Sequence, residues 1–193
     1  MTTYLVSCCF SAQCELAAPT QTIRNFQGVT YKAGKAGTYV LFRDKALAAE
    51  VQVNMRQCNL RSLCLCAVSV LSRDTVITFD ICTKGHLRAW AKRSQTGRRG
   101  DRDDGGLKVI SQDDGRLYQV VLPNSETRIV IGDLLTYVKI ITKEGSGKSG
   151  LCGKENHTKD DFNGAKNNTR KGPLTDCAES QPEGCEELLK IWR

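Results

Sequence analysis

An all-β fold, an antiparallel sandwich, is what this chain predicts, on three observations. Short runs rich in β-branched and aromatic residues recur from Phe26 to Thr142. Turn signals stand between them: Ser72-Arg73-Asp74, Asp103-Asp104-Gly105-Gly106, Asp113-Asp114-Gly115, Pro123-Asn124-Ser125 and Gly132-Asp133. No helical periodicity falls between those runs, and strands at such spacing fold into stacked antiparallel sheets.

Taken in order, the first β-rich run covers 38–43. Leu47, Ala49, Val51 and Val53 then alternate with Ala48, Glu50, Gln52 and Asn54, the period-two pattern of a half-buried strand. Further strands are expected over 65–72, 75–81, 86–91, 107–111, 117–122, 127–131 and 135–142. The composition shifts at Lys143, where Gly, Ser, Lys and Asn take over through Gly172, so this segment is expected to be loop. The stretch 182–192 reads as a short helix: Pro182 at its start, Glu183, Glu186 and Glu187 in early turns, then Leu188, Leu189 and Ile191. Trp192 and these aliphatics would dock it, and Cys185 would tether it, with Cys177 a candidate partner. The division expected is a β-sandwich domain over 1–162, then a polar linker and helix over 163–193.

The chain has 193 residues, enough for one large domain, and 40% hydrophobic with 25% charged residues permits an ordinary core. Ten cysteines are the unusual count, and an oxidising compartment is where they become useful as disulfides. Zinc is the rival use, but the only tight pairs are Cys8-Cys9 and Cys64-Leu65-Cys66, with only His86 and His157 beside them. Two acceptor sequons, at Asn156 and Asn167, lie in polar sequence and agree with secretion. Residues 1–12 are too short for a secretory leader and carry no leading basic residue, so they are expected to open an ordered domain of a longer protein. No apolar run approaches the roughly 18 residues of a membrane span.

The net charge of +7 is spread along the chain, with one dense cluster at Lys92-Arg93 and Arg98-Arg99, and aromatics are only 6%. Nucleic acid is therefore not the expected partner; a solvated surface, or contact with anionic glycans or lipids, suits the charge better. Arg99-Gly100-Asp101 spells an integrin-type adhesion tripeptide in a polar tip, whose bland reading is a solvated charged loop. Catalytic groupings are lacking: two histidines without an evident nucleophile partner, no G-x-S-x-G, and a Gly145–Ser149 stretch without the earlier glycine of a phosphate loop.

The segment Gly150-Leu151-Cys152-Gly153-Lys154-Glu155-Asn156-His157-Thr158-Lys159-Asp160-Asp161-Phe162 resembles the signature of the von Willebrand factor type D domain, G-L-C-G-N-x-N-x-x-x-D-D-F. Asn25-Phe26-Gln27-Gly28-Val29-Thr30-Tyr31 is similar to the end of that family's opening run. Tyr39-Val40-Leu41 is similar to its next strand, and Cys14 to its opening cysteine. The resemblance implies a Cys14–Cys152 bridge, worth on the order of 4 kcal/mol by the chain-entropy model. It matches Cys58 and Cys64 to a mid-domain pair, which leaves Cys66 with Cys82 as an extra bridge between adjacent strands. Cys8, Cys9, Cys177 and Cys185 stay unassigned. A further family pair is missing at both ends: Ser149 holds one place, and Asp44, Lys45 and Ala46 contain no cysteine at the other.

Calcium is the ion the resemblance implies, with Asn156, Asp160 and Asp161 as ligands, the alternative being that Asp160 and Asp161 cap the loop. The chain departs from the family at Thr20, where the opening aspartate would be, and at Lys154, which brings a positive charge. Pro19, Thr20, Gln21 and Thr22 replace the self-cleaving segment of some members. The implied function is a non-enzymatic extracellular module of a larger secreted glycoprotein, interacting with neighbouring domains or other extracellular proteins. The lysine after the second glycine looks more like the vitellogenin branch, a lipid-transfer setting, than the mucin or matrix branch. Two other classes fit the resemblance or the cysteine content: a luciferase-like oxidoreductase built on such domains, and a secreted toxin or defence protein.

Overall fold

The computed structural model describes residues 11–18, 20–59, 62–82, 86–93, 106–123, 125–143, 147–153 and 185–187, with backbone alone at 92, 93, 114 and 185–187. Two seven-stranded antiparallel sheets form a sandwich. The first runs in the order β3 (Thr30–Lys32), β2 (Thr22–Arg24), β1 (Ser11–Ala17), β12 (Tyr137–Lys143), β11 (Arg128–Gly132), β10 (Leu117–Val121), β9 (Lys108–Gln112). The second runs β13 (Lys148–Ser149), β4 (Gly37–Asp44), β5 (Ala49–Asn59), β6 (Ser62–Ser72), β7 (Thr75–Asp80), β8 (Arg88–Arg93), β14 (Cys185–Glu187).

The first sheet follows the alternation rule. On β1, Ala12, Cys14 and Leu16 are buried while their neighbours Ser11, Gln13 and Glu15 face out. Ile23, Ile129, Ile131, Val120, Val138 and Ile140 continue the same inner face. Across the gap, Phe42, Val51, Val53, Val68, Val70, Ile77 and Phe79 answer from the second sheet. Burying each such side chain is worth about 1.5–3 kcal/mol, so this interdigitated layer is what holds the sheets together. Phe79 and Tyr118 meet across it with ring centroids 5.3 Å apart.

Three expectations are corrected. The stretch expected to be a helix over 182–192 contains strand β14, whose Cys185, Glu186 and Glu187 pair with Lys92, Ala91 and Trp90; the rest of it lies outside the described residues. Local propensity is overridden there because β8 would otherwise present an unpaired edge. Second, the first half of β5 is buried on both faces, not one: Glu50 and Gln52 are buried like Val51 and Val53, while 56–59 are exposed. Third, His86 sits in a bend ahead of β8 rather than in it, and within the stretch expected to be loop, 143–172, the described residues include a short strand, β13, on the edge of β4.

Candidate functional site

Two sequence segments more than a hundred residues apart meet at one edge of the sandwich. The ladder of β4 and β5 skips between Val40 and Phe42, leaving Leu41 in a bulge. The loop 150–153 lies along that edge: Leu151 N–H donates to Val40 O at 3.0 Å and Cys152 N–H to Leu41 O at 2.8 Å. The approach is tight. A Cβ on Gly150, whose φ is +88°, would stand 2.9 Å from Leu41 O and from Val40 O. One on Gly153 would stand 2.5 Å from Ser149 Cα. Both glycines are therefore required by space, and Gly150 by backbone conformation as well.

The Asn25–Tyr31 segment closes over the same loop. Asn25 Oδ1 accepts from Gln27 N–H at 3.0 Å and from Val29 N–H at 2.9 Å, an Asx turn that shapes the segment. Phe26 N–H then donates to Cys152 O at 3.2 Å, and the Phe26 ring meets Phe42 edge-on at 6.0 Å. The Tyr31 hydroxyl donates to Leu151 O. Burial pushes the Tyr31 phenol well above its ordinary value, because a phenolate there would lose its water. Cys14 reaches in from the first sheet and is bonded to Cys152, their Cα atoms 5.6 Å apart. One loop is thus hydrogen-bonded to the second sheet and covalently tied to the first.

Two more disulfides join Cys58 to Cys64 and Cys66 to Cys82, with Cα separations of 5.6 Å and 4.8 Å. Of the other residues singled out from the sequence, Cys8, Cys9, Asn156, Asp160, Asp161, Asn167, Cys177 and the Arg99-Gly100-Asp101 tripeptide lie outside the described residues, as does the Cys185 side chain. For calcium, the described residues offer no group of three or more His, Cys, Asp and Glu. Thr20, at the place of the family's opening aspartate, gives its hydroxyl to Ala17 O at 3.4 Å. Among the described residues no helix is long and apolar enough to cross a membrane.

Sequence reasoning missed a polar row on the outer face of the second sheet. Gln52, Ser69, Thr78 and Trp90 are successive cross-strand partners on β5, β6, β7 and β8, and all four are buried. Ser69 Oγ and Thr78 Oγ1 share a hydrogen bond of 2.9 Å, and the Arg88 guanidinium lies 4.1 Å over the Trp90 ring. Beside the row, Arg43 Nε bonds Glu50 Oε2 at 2.7 Å. Among the described residues Gln52 Oε1 and Trp90 Nε1 have no hydrogen-bond partner. The signal was present: the polar half of the β5 alternation falls opposite Ser69, and Ser69 opposite Thr78. A one-strand reading takes such residues as solvated.

Compared with family models and with curated proteins, the chain matches none of them.

Proposed function

We propose that this chain is a non-enzymatic interaction module of von Willebrand type D kind, working outside the cell as part of a larger secreted glycoprotein. The observation that carries the reading is the meeting of Asn25–Tyr31 with Gly150–Gly153 under the Cys14–Cys152 bond. Those are the segments on which the resemblance rests, and a motif acquires meaning when its parts share one structural context. Three disulfides among the described residues suit an oxidising compartment. The module's partners are neighbouring domains of its own parent protein, in a lipid-transfer or matrix setting. The charge of +7 adds a preference for anionic glycans or lipid surfaces. Calcium, glycans at Asn156 and Asn167, and adhesion through Arg99-Gly100-Asp101 belong to the same reading as its untried details.

The test is production of the chain behind a secretory leader, non-reducing peptide mapping of the secreted protein, and titration against the segments that flank it in its full-length gene product. Secretion with Cys14 joined to Cys152, and binding to a flanking segment that is lost on reduction, is the expected result. Light from an imidazopyrazinone luciferin, lysis of anionic vesicles, or secretion with both cysteines free would overturn it.

A further inference from the structure

The three disulfides differ sharply in access. Cys14, Cys152 and Cys66 are 1%, 0% and 2% exposed, and Cys82, the partner of Cys66, is half-buried. Cys58 is exposed and its partner Cys64 half-buried. The ladder between β5 and β6 jumps from the Gln57–Leu63 pair to the Asn59–Ser62 pair, so Cys58 is the extra residue of a bulge with no partner opposite. The residue therefore stands outside the regular ladder near the end of the hairpin, with its sulfur 3.4 Å from Ser62 O and 3.5 Å from Ser62 Oγ. Cys64 has a different neighbour. Arg56 stands directly opposite it, which puts the two Cβ atoms about 4.5–5.5 Å apart on one face. The Arg56 guanidinium donates a 2.7 Å hydrogen bond from Nη1 to Cys82 O.

We infer that the Cys58–Cys64 bridge is a thiol–disulfide exchange site, open to an external thiolate, in which Cys58 is attacked and Cys64 leaves. The incoming thiolate forms a bond to Cys58 Sγ in line with the existing bridge. The Cys58–Cys64 bond breaks, its electron pair departs on Cys64 Sγ, and the Arg56 charge stabilises the thiolate that results. A leaving thiol made more acidic by a cation leaves faster, and access decides which sulfur is struck. The product is a mixed disulfide on Cys58, with total oxidation state unchanged. The bridge spans a sequence separation of only 6 within one hairpin, so opening it detaches no element of the sandwich. This inference rests on the hairpin alone and is independent of the family reading.

The experiment exposes the full oxidised chain to millimolar reduced glutathione, quenches with acid, alkylates free thiols and maps peptides by mass spectrometry. A parallel arm replaces glutathione with a folded protein bearing a single exposed cysteine. The expected first product carries the adduct on Cys58 and the alkyl group on Cys64, formed roughly tenfold faster than opening at Cys14–Cys152 or Cys66–Cys82. Adducts in both arms mean that protein thiols are admitted; adducts with glutathione alone mean that only small thiols are, and either outcome supports exchange at this site. Arg56→Gln slows the reaction several-fold while Arg56→Lys retains most of it, with thermal melts showing both variants folded. Equal rates at all three bridges, an adduct on Cys64, or an Arg56→Gln rate equal to wild type would overturn the inference.

Discussion

At the scale of single residues, the loop on the β4 edge separates two costs that glycine substitutions usually mix. Gly147 and Gly150 share a φ of +88°, yet a Cβ on Gly147 meets nothing within 4 Å, whereas one on Gly150 drives into two main-chain carbonyls. Gly147→Ala should therefore cost about 1 kcal/mol from backbone conformation alone. Gly150→Ala should cost about 3 kcal/mol, because carbonyls fixed in a sheet cannot turn aside. Urea denaturation of the two variants measures the difference, and equal losses would mean that the close approach is not real. Tyr31 makes the same loop sensitive to base. Its folded phenol titrates above the ordinary 10.0 because burial disfavours the charged form, so the folded state holds its proton more tightly than the unfolded state. That stabilisation is complete below about pH 10 and is lost as pH rises from there towards the folded value. Stability should fall with pH above that point, and Tyr31→Phe should flatten the fall while costing about 1 kcal/mol at neutral pH through the lost bond to Leu151 O.

At the scale of elements, pairs of hydroxyls stand in for apolar contact inside the sheets. Thr127 Oγ1 and Thr142 Oγ1 are 2.8 Å apart, and both residues are 2% exposed. Replacing one strands its partner away from water. Thr127→Val or Thr142→Val alone should cost about 1–3 kcal/mol, and the double substitution less than either. A double-mutant cycle showing additive losses would deny the coupling. The same reasoning explains what the sequence shows of these elements. Strand β4 and strands β7 to β12 are legible to within a residue or two, because each is bounded by turn residues and carries its own apolar pattern; β5 and β6 run on past the expected bounds, to Asn59 and back to Ser62, where the hairpin between them has no apolar alternation to show it. Strands β2, β3, β13 and β14 are not. At two or three residues they hold no period of their own and exist only because a neighbouring edge offers hydrogen bonds. The buried polar face of β5 was hidden for a related reason: burial on both sides is a property of what lies across the strand, not of Glu50 or Gln52 themselves. Of the seam, Cys14, Cys152 and the flanking glycines were legible as a motif. The Tyr31–Leu151 bond and the Leu41 bulge were not, since neither leaves a spacing in the chain.

At the scale of the whole molecule, the sandwich is a problem in joining distant sequence. Strand β1 lies between β2 and β12, so the first described strand must find one that begins 120 residues later before the first sheet can close. Non-local pairing of that kind is slow, because loop closure costs entropy before any contact repays it. The Cys14–Cys152 bond, with a sequence separation of 138, removes most of that search from the unfolded chain. In the folded protein the loop would keep its place without it, held by the Leu151, Cys152 and Phe26 amides and the Tyr31 hydroxyl. The Cys14→Ser/Cys152→Ser double variant should therefore retain its far-ultraviolet circular dichroism yet lose about 4 kcal/mol, a fall of roughly 10 °C in Tm. Because the bond acts on the search, most of the loss should appear in the folding arm of a denaturant chevron, with unfolding rates changed little. A loss carried by the unfolding arm would show that the bond works in the folded state instead, holding the two sheets against each other, and the seam would then be a strained clasp rather than a closed loop.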